Sequence, residues 1–273
     1  MRHRVSLVIC AALILIAPAV TAAQPGKTEV LWLGQSAMRI TSPTGKVIMI
    51  DPWLTGNPKT PAGYKNLDAV GKLDLILVTH AHGDHLGDGP ALAKKNNAPL
   101  YGPAGMNQTL QTMGVLSAEL APRMNKGGTI TPFPNVNIRI TMTHAEHSSE
   151  LVLPNAQGKP ETMVGGEPVG FIIELENGFK IYHMGDTAVF GDMQLIGRMY
   201  KPDLILIPIG GHFVMNPRDA AFATNEYLKP KLAIPMHYGT IPVLRGTPEE
   251  YKQALGNTPT TVITMNPGEQ VTF

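Results

Sequence analysis

The chain has 273 residues, with 22 Lys and Arg against 21 Asp and Glu, and 43% hydrophobic side chains. So even a charge balance excludes the basic footprint of a nucleic-acid-binding protein, and the apolar content suffices for one large core or two fused halves. The only cysteine is Cys10, so the chain beyond it has neither a disulfide nor a thiolate metal ligand.

Met1-Arg2-His3-Arg4 is followed by an apolar run from Val5 to Ile16 and then by small residues ending at Ala22-Ala23. A basic start, a short apolar middle and a small-residue end read as a secretory signal peptide over residues 1–23, cut after Ala23 or Ala22. The alternative is an uncleaved anchor, for which the apolar run is short. Residues 24–273 then form a single domain, periplasmic or secreted, with no stable membrane anchor after cleavage. Losing Arg2 and Arg4 lowers Lys plus Arg from 22 to 20 against 21 acids, a formal charge of −1.

Residues 29–33, 38–41 and 47–50 read as short strands, with a hairpin turn at Ser42-Pro43-Thr44-Gly45. The third strand ends at Asp51, which either caps a turn or orients a metal-bound histidine through its other ring nitrogen. Residues 54–68 form a long loop able to line a site mouth, with Trp53 as core plug or substrate platform. Leu75-Ile76-Leu77-Val78 is a buried strand. Helices are expected over 90–95, with Pro90 in the first turn, and over 106–113, ended by Gly114.

A turn at 124–128 precedes an alternating strand over 136–143. Residues 151–168, rich in glycine and proline, look like an irregular insertion. Asn177-Gly178 predicts a type I′ hairpin between 169–176 and 179–183. Residues 204–207 form another buried strand. Asn216-Pro217 opens a helix to about Leu228, and Thr247 to Glu250 has capping-box spacing for a helix to about Leu255. Short strands at 232–234, 262–264 and 270–273 complete the pattern.

The stretch that carries chemistry is Thr79-His80-Ala81-His82-Gly83-Asp84-His85, directly after the buried strand at 75–78. Residues two apart on an extended chain point the same way, so His80 and His82 can converge on one point. Asp84 and His85, offset by one turn, can aim at a second, and Gly83 supplies the bend. That suits two metal ions about 3.5–4 Å apart, and imidazole favours zinc, iron or nickel over magnesium or calcium. The plain alternative is a polar loop of no special role. The same strand-then-turn pattern recurs before His147, Asp186, His212 and His237, as an active site built between two sheets requires.

His80-Ala-His82-Gly-Asp84-His85 resembles the signature of the metallo-β-lactamase superfamily, over roughly residues 29–265. The segments 182–187, 208–211 and 235–238 resemble a branch similar to ascorbate-6-phosphate lactonase and N-acyl phosphatidylethanolamine phospholipase D. The resemblance implies an α/β, four-layer αβ/βα sandwich. It implies a first metal on His80, His82 and His147 and a second on Asp84, His85 and His237, with Asp186 bridging. His147 is preferred to His144, and His183 reads as a packing residue. It also implies two divalent transition-metal ions, zinc first and manganese or iron as alternatives. Gln35 stands where such relatives commonly carry histidine.

The function implied is a secreted binuclear hydrolase acting on a small-molecule ester, lactone or phosphodiester. A metal-bridging hydroxide would be its nucleophile, and Asp84 or Asp186 would take up the proton. His212 would be catalytic or substrate-binding, against a structural role, and Trp53 would be substrate-binding. A β-lactamase or a non-catalytic metal-binding protein are the alternatives. A di-iron oxygen or nitric oxide reductase would carry glutamate at position 82 and a flavin domain.

Overall fold

The computed structural model describes residues 26–273, so the segment read as a signal peptide lies outside the described residues. In the first half the strands are β1 (Glu29–Trp32), β2 (Met38–Thr41), β3 (Val47–Ile50), β4 (Leu75–Leu77), β5 (Leu100–Pro103) and β6 (Arg123–Met124). Helices α1 (Gly83–Leu86), α2 (Gly89–Asn96) and α3 (Ala104–Thr112) interrupt them. Then come β7 (Thr129–Ile130), β8 (Arg139–His144), β9 (Glu150–Pro154), β10 (Pro160–Val164), β11 (Val169–Glu174), β12 (Lys180–His183), β13 (Leu204–Pro208), β14 (Leu232–Met236), β15 (Thr261–Val262) and β16 (Gln270–Thr272). Helices α4 (Met193–Tyr200), α5 (Pro217–Phe222) and α6 (Pro248–Leu255) belong to this half, and α5 runs on as a π-helical turn over Ala223–Leu228.

Two seven-stranded sheets result, ordered β16-β1-β2-β3-β4-β5-β6 and β15-β14-β13-β12-β11-β8-β7. Period-two alternation decides what each face touches. In the first sheet Val30, Ile48, Ile50, Leu75 and Leu77 face the second sheet, while Leu31, Met49 and Ile76 face the layer that holds α2 and α3. In the second sheet Phe171, Ile173, Leu204, Leu206 and Ile234 face inward, and Ile172, Ile205, Ile207 and Ala233 pack under α4, α5 and α6. Each such side chain, buried on one face or the other, contributes about 1.5–3 kcal/mol. The architecture is the four-layer αβ/βα sandwich, and among the described residues no helix is long and apolar enough to cross a membrane.

Several local expectations change. Residues 151–168 are not irregular: β9 and β10 pair as a separate hairpin, with Leu151, Leu153 and Met163 laid against the first half's outer core. Its turn is held by the Asn155 side chain, which accepts from the amides of Gln157 and Lys159. The β11–β12 turn is not type I′, because Gly178 alone has a positive φ (82°) and a type I′ turn needs two. The 124–128 turn joins β6 to β7, and α4 was not anticipated at all. Both predicted caps form: Asn216 accepts from the amides of Arg218 and Asp219, and Thr247 with Glu250 makes the reciprocal capping box.

A candidate metal centre between the sheet ends

Every residue of the site follows the end of a strand. β4 is followed by a bend over Thr79–His82 that carries His80 and His82; His82 then precedes the single turn α1, which swings Asp84 and His85 to the other side. The turn closes on His82, whose carbonyl accepts from the amides of His85 (3.0 Å) and Leu86 (2.9 Å). Gly83 is not needed for the bend, since it has no positive φ and open space surrounds its α-carbon. Gly87 is the constrained position: at φ 35°, a β-carbon there would lie 2.7 Å from the Trp53 α-carbon.

β8, β12 and β14 of the second sheet lead to His147, Asp186 and His237. Gly185, at φ 64°, lets the chain turn in front of Thr79, whose β-carbon would stand 2.8 Å from a side chain at that position. Two groups of donor atoms form, His80 with His82 and His147, and Asp84 with His85, Asp186 and His237, each within 4.8 Å of one another. Asp186 Oδ2 lies 3.7 Å from His147 Nε2 in one group, and 3.3 Å and 2.9 Å from the Nε2 atoms of His85 and His237 in the other. One carboxylate oxygen therefore lies within 3.7 Å of donors in both groups.

The ring orientations are fixed from behind. Buried Asp51 accepts from the Thr79 amide and hydroxyl, both at 2.7 Å, and its Oδ2 accepts from His85 Nδ1 at 2.8 Å. With a proton held on Nδ1, His85 turns the lone pair of Nε2 into the site. His80 Nδ1 lies 3.1 Å from the Thr79 hydroxyl, which leaves its Nε2 3.0 Å from His82 Nδ1. His82 uses its outer nitrogen on Glu150, 2.9 Å away. The Asp51 carboxylate thus orients the His85 ring and caps no turn of its own after β3.

Electrostatics separate the two groups. Burial and the neighbouring His85 push His80 well below the usual histidine range, so its ring is neutral and able to coordinate. Burial opposes a charge on His85 and His237 too, but Asp186 outweighs it, raising His85 well above the usual value and His237 to about 9. Burial alone would raise Asp186, yet His237 and His85 hold it well below the carboxylate range. His85 Nε2 and Asp186 Oδ1 are buried without a hydrogen-bond partner. Buried polar atoms are normally paired, so a cation fits this donor set, and the all-nitrogen-and-oxygen composition suits a transition metal.

The pocket over these groups holds about 370 Å³ and is lined by Gln35, Trp53, Ser148, Phe213, Ile241 and Leu244 besides the ligand residues. Trp53 is half-buried and lines this pocket, and the loop that follows it is held by the Asp88 carboxylate, which accepts from the amides of Leu54 and Thr55. His212 lies outside this pocket. It is exposed, stacks edge-on against Phe213, and lines the neighbouring groove with Asn216, Val243 and Arg245 instead. Left-handed Gly211 and His212 (φ 74° and 60°) turn the loop so that Phe213 presents the inward side chain. His183 is buried against the Ser36 carbonyl at 3.0 Å, a packing role, and His144 pairs with Glu146 outside both groups.

Two sheets that present seven histidine and aspartate donors able to hold metal from their adjoining ends fit a metallo-hydrolase of the β-lactamase superfamily. The profile described as Beta-lactamase superfamily domain matches residues 46–238. A UPF0173 metal-dependent hydrolase of Cupriavidus necator is 62% identical over 92% of this chain and 89% of its own length. One from a Polaromonas species is 61% identical, covering 92% of each. The solved structure of Igni18, a metallo hydrolase of Ignicoccus hospitalis, is 33% identical, with a TM-score of 0.74 over 90% of this chain and 98% of its own. The chain belongs to this superfamily, among the UPF0173 metal-dependent hydrolases, and is a metal-dependent hydrolase.

Proposed function

We propose that the protein is an exported hydrolase that works with two divalent transition-metal ions on a small ester or lactone bearing an apolar group. The observation that carries this reading is the position of Asp186 Oδ2, in contact with both ligand groups under an apolar wall. His80, His82 and His147 would hold one ion and Asp84, His85 and His237 the other, with Asp186 shared. Zinc is the first expectation, manganese or iron the alternatives. Bound there, two such cations supply a water acidic enough to ionise near neutral pH and polarise the oxygen it attacks.

The protein's own groups do the rest. Asp84 opens onto the pocket and is positioned to take the proton released as the water adds. Trp53, Phe213, Ile241 and Leu244 form an apolar surface that orients the substrate and excludes bulk water. None of the residues lining the pocket is Lys or Arg. Beyond the metal positions the wall is largely apolar, which favours a substrate with a neutral apolar group such as an ester or lactone.

The test is hydrolysis of lactones, carboxylic esters, thioesters, phosphodiesters and β-lactams by metal-loaded protein, before and after chelation. Chelator-sensitive turnover of the neutral esters or lactones is the expected result. Turnover confined to phosphodiesters or β-lactams overturns the substrate class, and turnover that survives complete metal removal overturns the mechanism. N-terminal sequencing of periplasmic protein tests export, with a start at Gln24 or Ala23 expected and a retained Met1 against it.

A further inference from the structure

The same run, Lys-Pro-X-Leu, ends two neighbouring helical segments of the second half: Lys201-Pro202-Asp203-Leu204 after α4, and Lys229-Pro230-Lys231-Leu232 after the π-helical turn. In both, the lysine turns the chain in the left-handed region, at φ 49° and 48°, before the parallel strands β13 and β14 begin. The two segments pack tightly, since a β-carbon on Gly197 would stand 2.3 Å from the Tyr227 carbonyl oxygen. Where they end lies a groove of about 420 Å³, lined by Arg198, Lys201, Lys229 and Lys231 together with Tyr227 and Asp203. It opens at the far end of the second sheet from the metal centre. β14 runs from Leu232, next to the groove, to Met236, next to His237, roughly 17 Å for five residues.

Charge is concentrated here in a chain whose formal net charge is only +1. Among the described residues Asp203 is the one acid that lines the groove, and it is engaged. Its Oδ1 accepts from Lys231 Nζ at 2.9 Å and its Oδ2 from the Lys180 amide at 3.1 Å. Arg198, Lys201 and Lys229 are exposed, and among the described residues no carboxylate or helix carbonyl pairs with their side chains. Their three positive charges stay uncompensated.

Cations do gather at helix C-termini, because each end carries roughly half a negative charge. Two such ends offset about one of the three charges, leaving an excess of about two. A left-handed position after a helix also suits glycine, which has no β-carbon to clash. Lysine is the costlier residue there for folding alone, yet both positions carry it and both residues line one groove. Such a groove suits a multiply charged anion. Arg198 offers a planar fork that meets a phosphate with two N–H donors, and the two ammonium groups add movable ones. A carboxylate, with a single charge, would leave part of the excess unmatched.

We propose that this groove is a second binding site, for a ligand carrying phosphate groups, separate from the metal centre. The site needs no metal and does not depend on the reaction proposed above.

Equilibrium dialysis of the purified protein against radiolabelled pyrophosphate is the test, alongside Lys201→Gly, Lys229→Gly, their combination, Arg198→Gln and, as a control in the β9–β10 turn, Lys159→Gln. Glycine removes the charge at a left-handed position without straining the backbone, so the melting temperature should stay the same or rise. The wild type should bind an equivalent of pyrophosphate that Lys159→Gln keeps, that each groove variant weakens by on the order of tenfold, and that the double glycine variant loses. Flotation with phosphatidylglycerol vesicles separates the sources of phosphate. Vesicle binding that pyrophosphate competes away assigns the groove to lipid headgroups, and pyrophosphate binding without flotation assigns it to a soluble phosphate compound. No pyrophosphate binding by the wild type overturns the proposal, as does binding unchanged in the double variant, which anion capture at the metal centre would give. A lower melting temperature with affinity kept also overturns it, as expected if the lysines serve only to close their helices.

Discussion

Asp51→Asn isolates the hold that the protein keeps on His85. Three donors converge on the two Asp51 oxygens: the Thr79 amide, the Thr79 hydroxyl and His85 Nδ1. Asparagine has almost the same shape and tolerates the left-handed φ of 46° at this position, so the backbone has no reason to move. It offers one oxygen. With that oxygen on the Thr79 amide, the new NH2 group faces His85 Nδ1, which must then accept, placing the proton on Nε2 where the metal belongs. Disrupting a partner of this kind costs about 10–100-fold in metal affinity, or about 1.4–2.7 kcal/mol.

The loss should fall more heavily on one of two equivalents, because His80 is oriented through Thr79 rather than by Asp51 directly. The metal-free variant should also melt lower, since an unmade buried hydrogen bond costs about 1–3 kcal/mol. Competition titration against a chromophoric chelator measures the first effect and calorimetry the second. Two equivalents with wild-type affinity, or equal losses at both, would refute the tautomer argument.

Three further outcomes are expected. His212→Ala should keep turnover within a few-fold of the wild type, because its side chain lies outside the pocket; a drop beyond tenfold with metal content unchanged would restore it to the site. Phe213→Ala should lower kcat/KM for long-chain esters by roughly tenfold while sparing acetyl esters, in line with about 1–3 kcal/mol for a lost apolar contact; a uniform loss would speak against the apolar wall. Finally, His237 is raised to about 9 in the folded metal-free protein, where burial, which opposes the charge, is outweighed by Asp186. A raised histidine stabilises fully below its unfolded value of about 6.5 and loses that contribution as pH climbs through about 9. Thermal stability of the stripped protein should therefore fall across that window while metal affinity rises, as the competing proton leaves. A flat stability profile from pH 6.5 to 9 would contradict the pairing.

The site was legible wherever one short stretch carries several chemical groups. His80, His82, Asp84 and His85 declare themselves by spacing, and strand ends announced His147, Asp186 and His237. Side-chain direction in a glycine loop was not legible: nothing in Gly210-Gly211-His212-Phe213 says that Phe213 turns inward. Gln35 was noticed only as a departure from histidine, because its partners lie 49 and 202 residues away. In the fold, Pro154, Gly158 and Pro160 hid the β9–β10 hairpin, which packs only one face on the core and leaves Val152 and Val164 exposed on the other. Helix α4 escaped because no side chain caps its start and it contains Gly197, where a β-carbon would run into the Tyr227 carbonyl.

Four of the seven ligands hang from the first sheet and three from the second, so any ion held there is also a rivet between two slabs. The slabs share an apolar interior, and at this rim backbone hydrogen bonds cross between them as well, from the Val169 amide to the Thr79 carbonyl at 3.0 Å and from the His237 amide to the Gln35 carbonyl at 3.1 Å. A cation held there would tie the two sheet ends together as well as serve the chemistry inside the pocket.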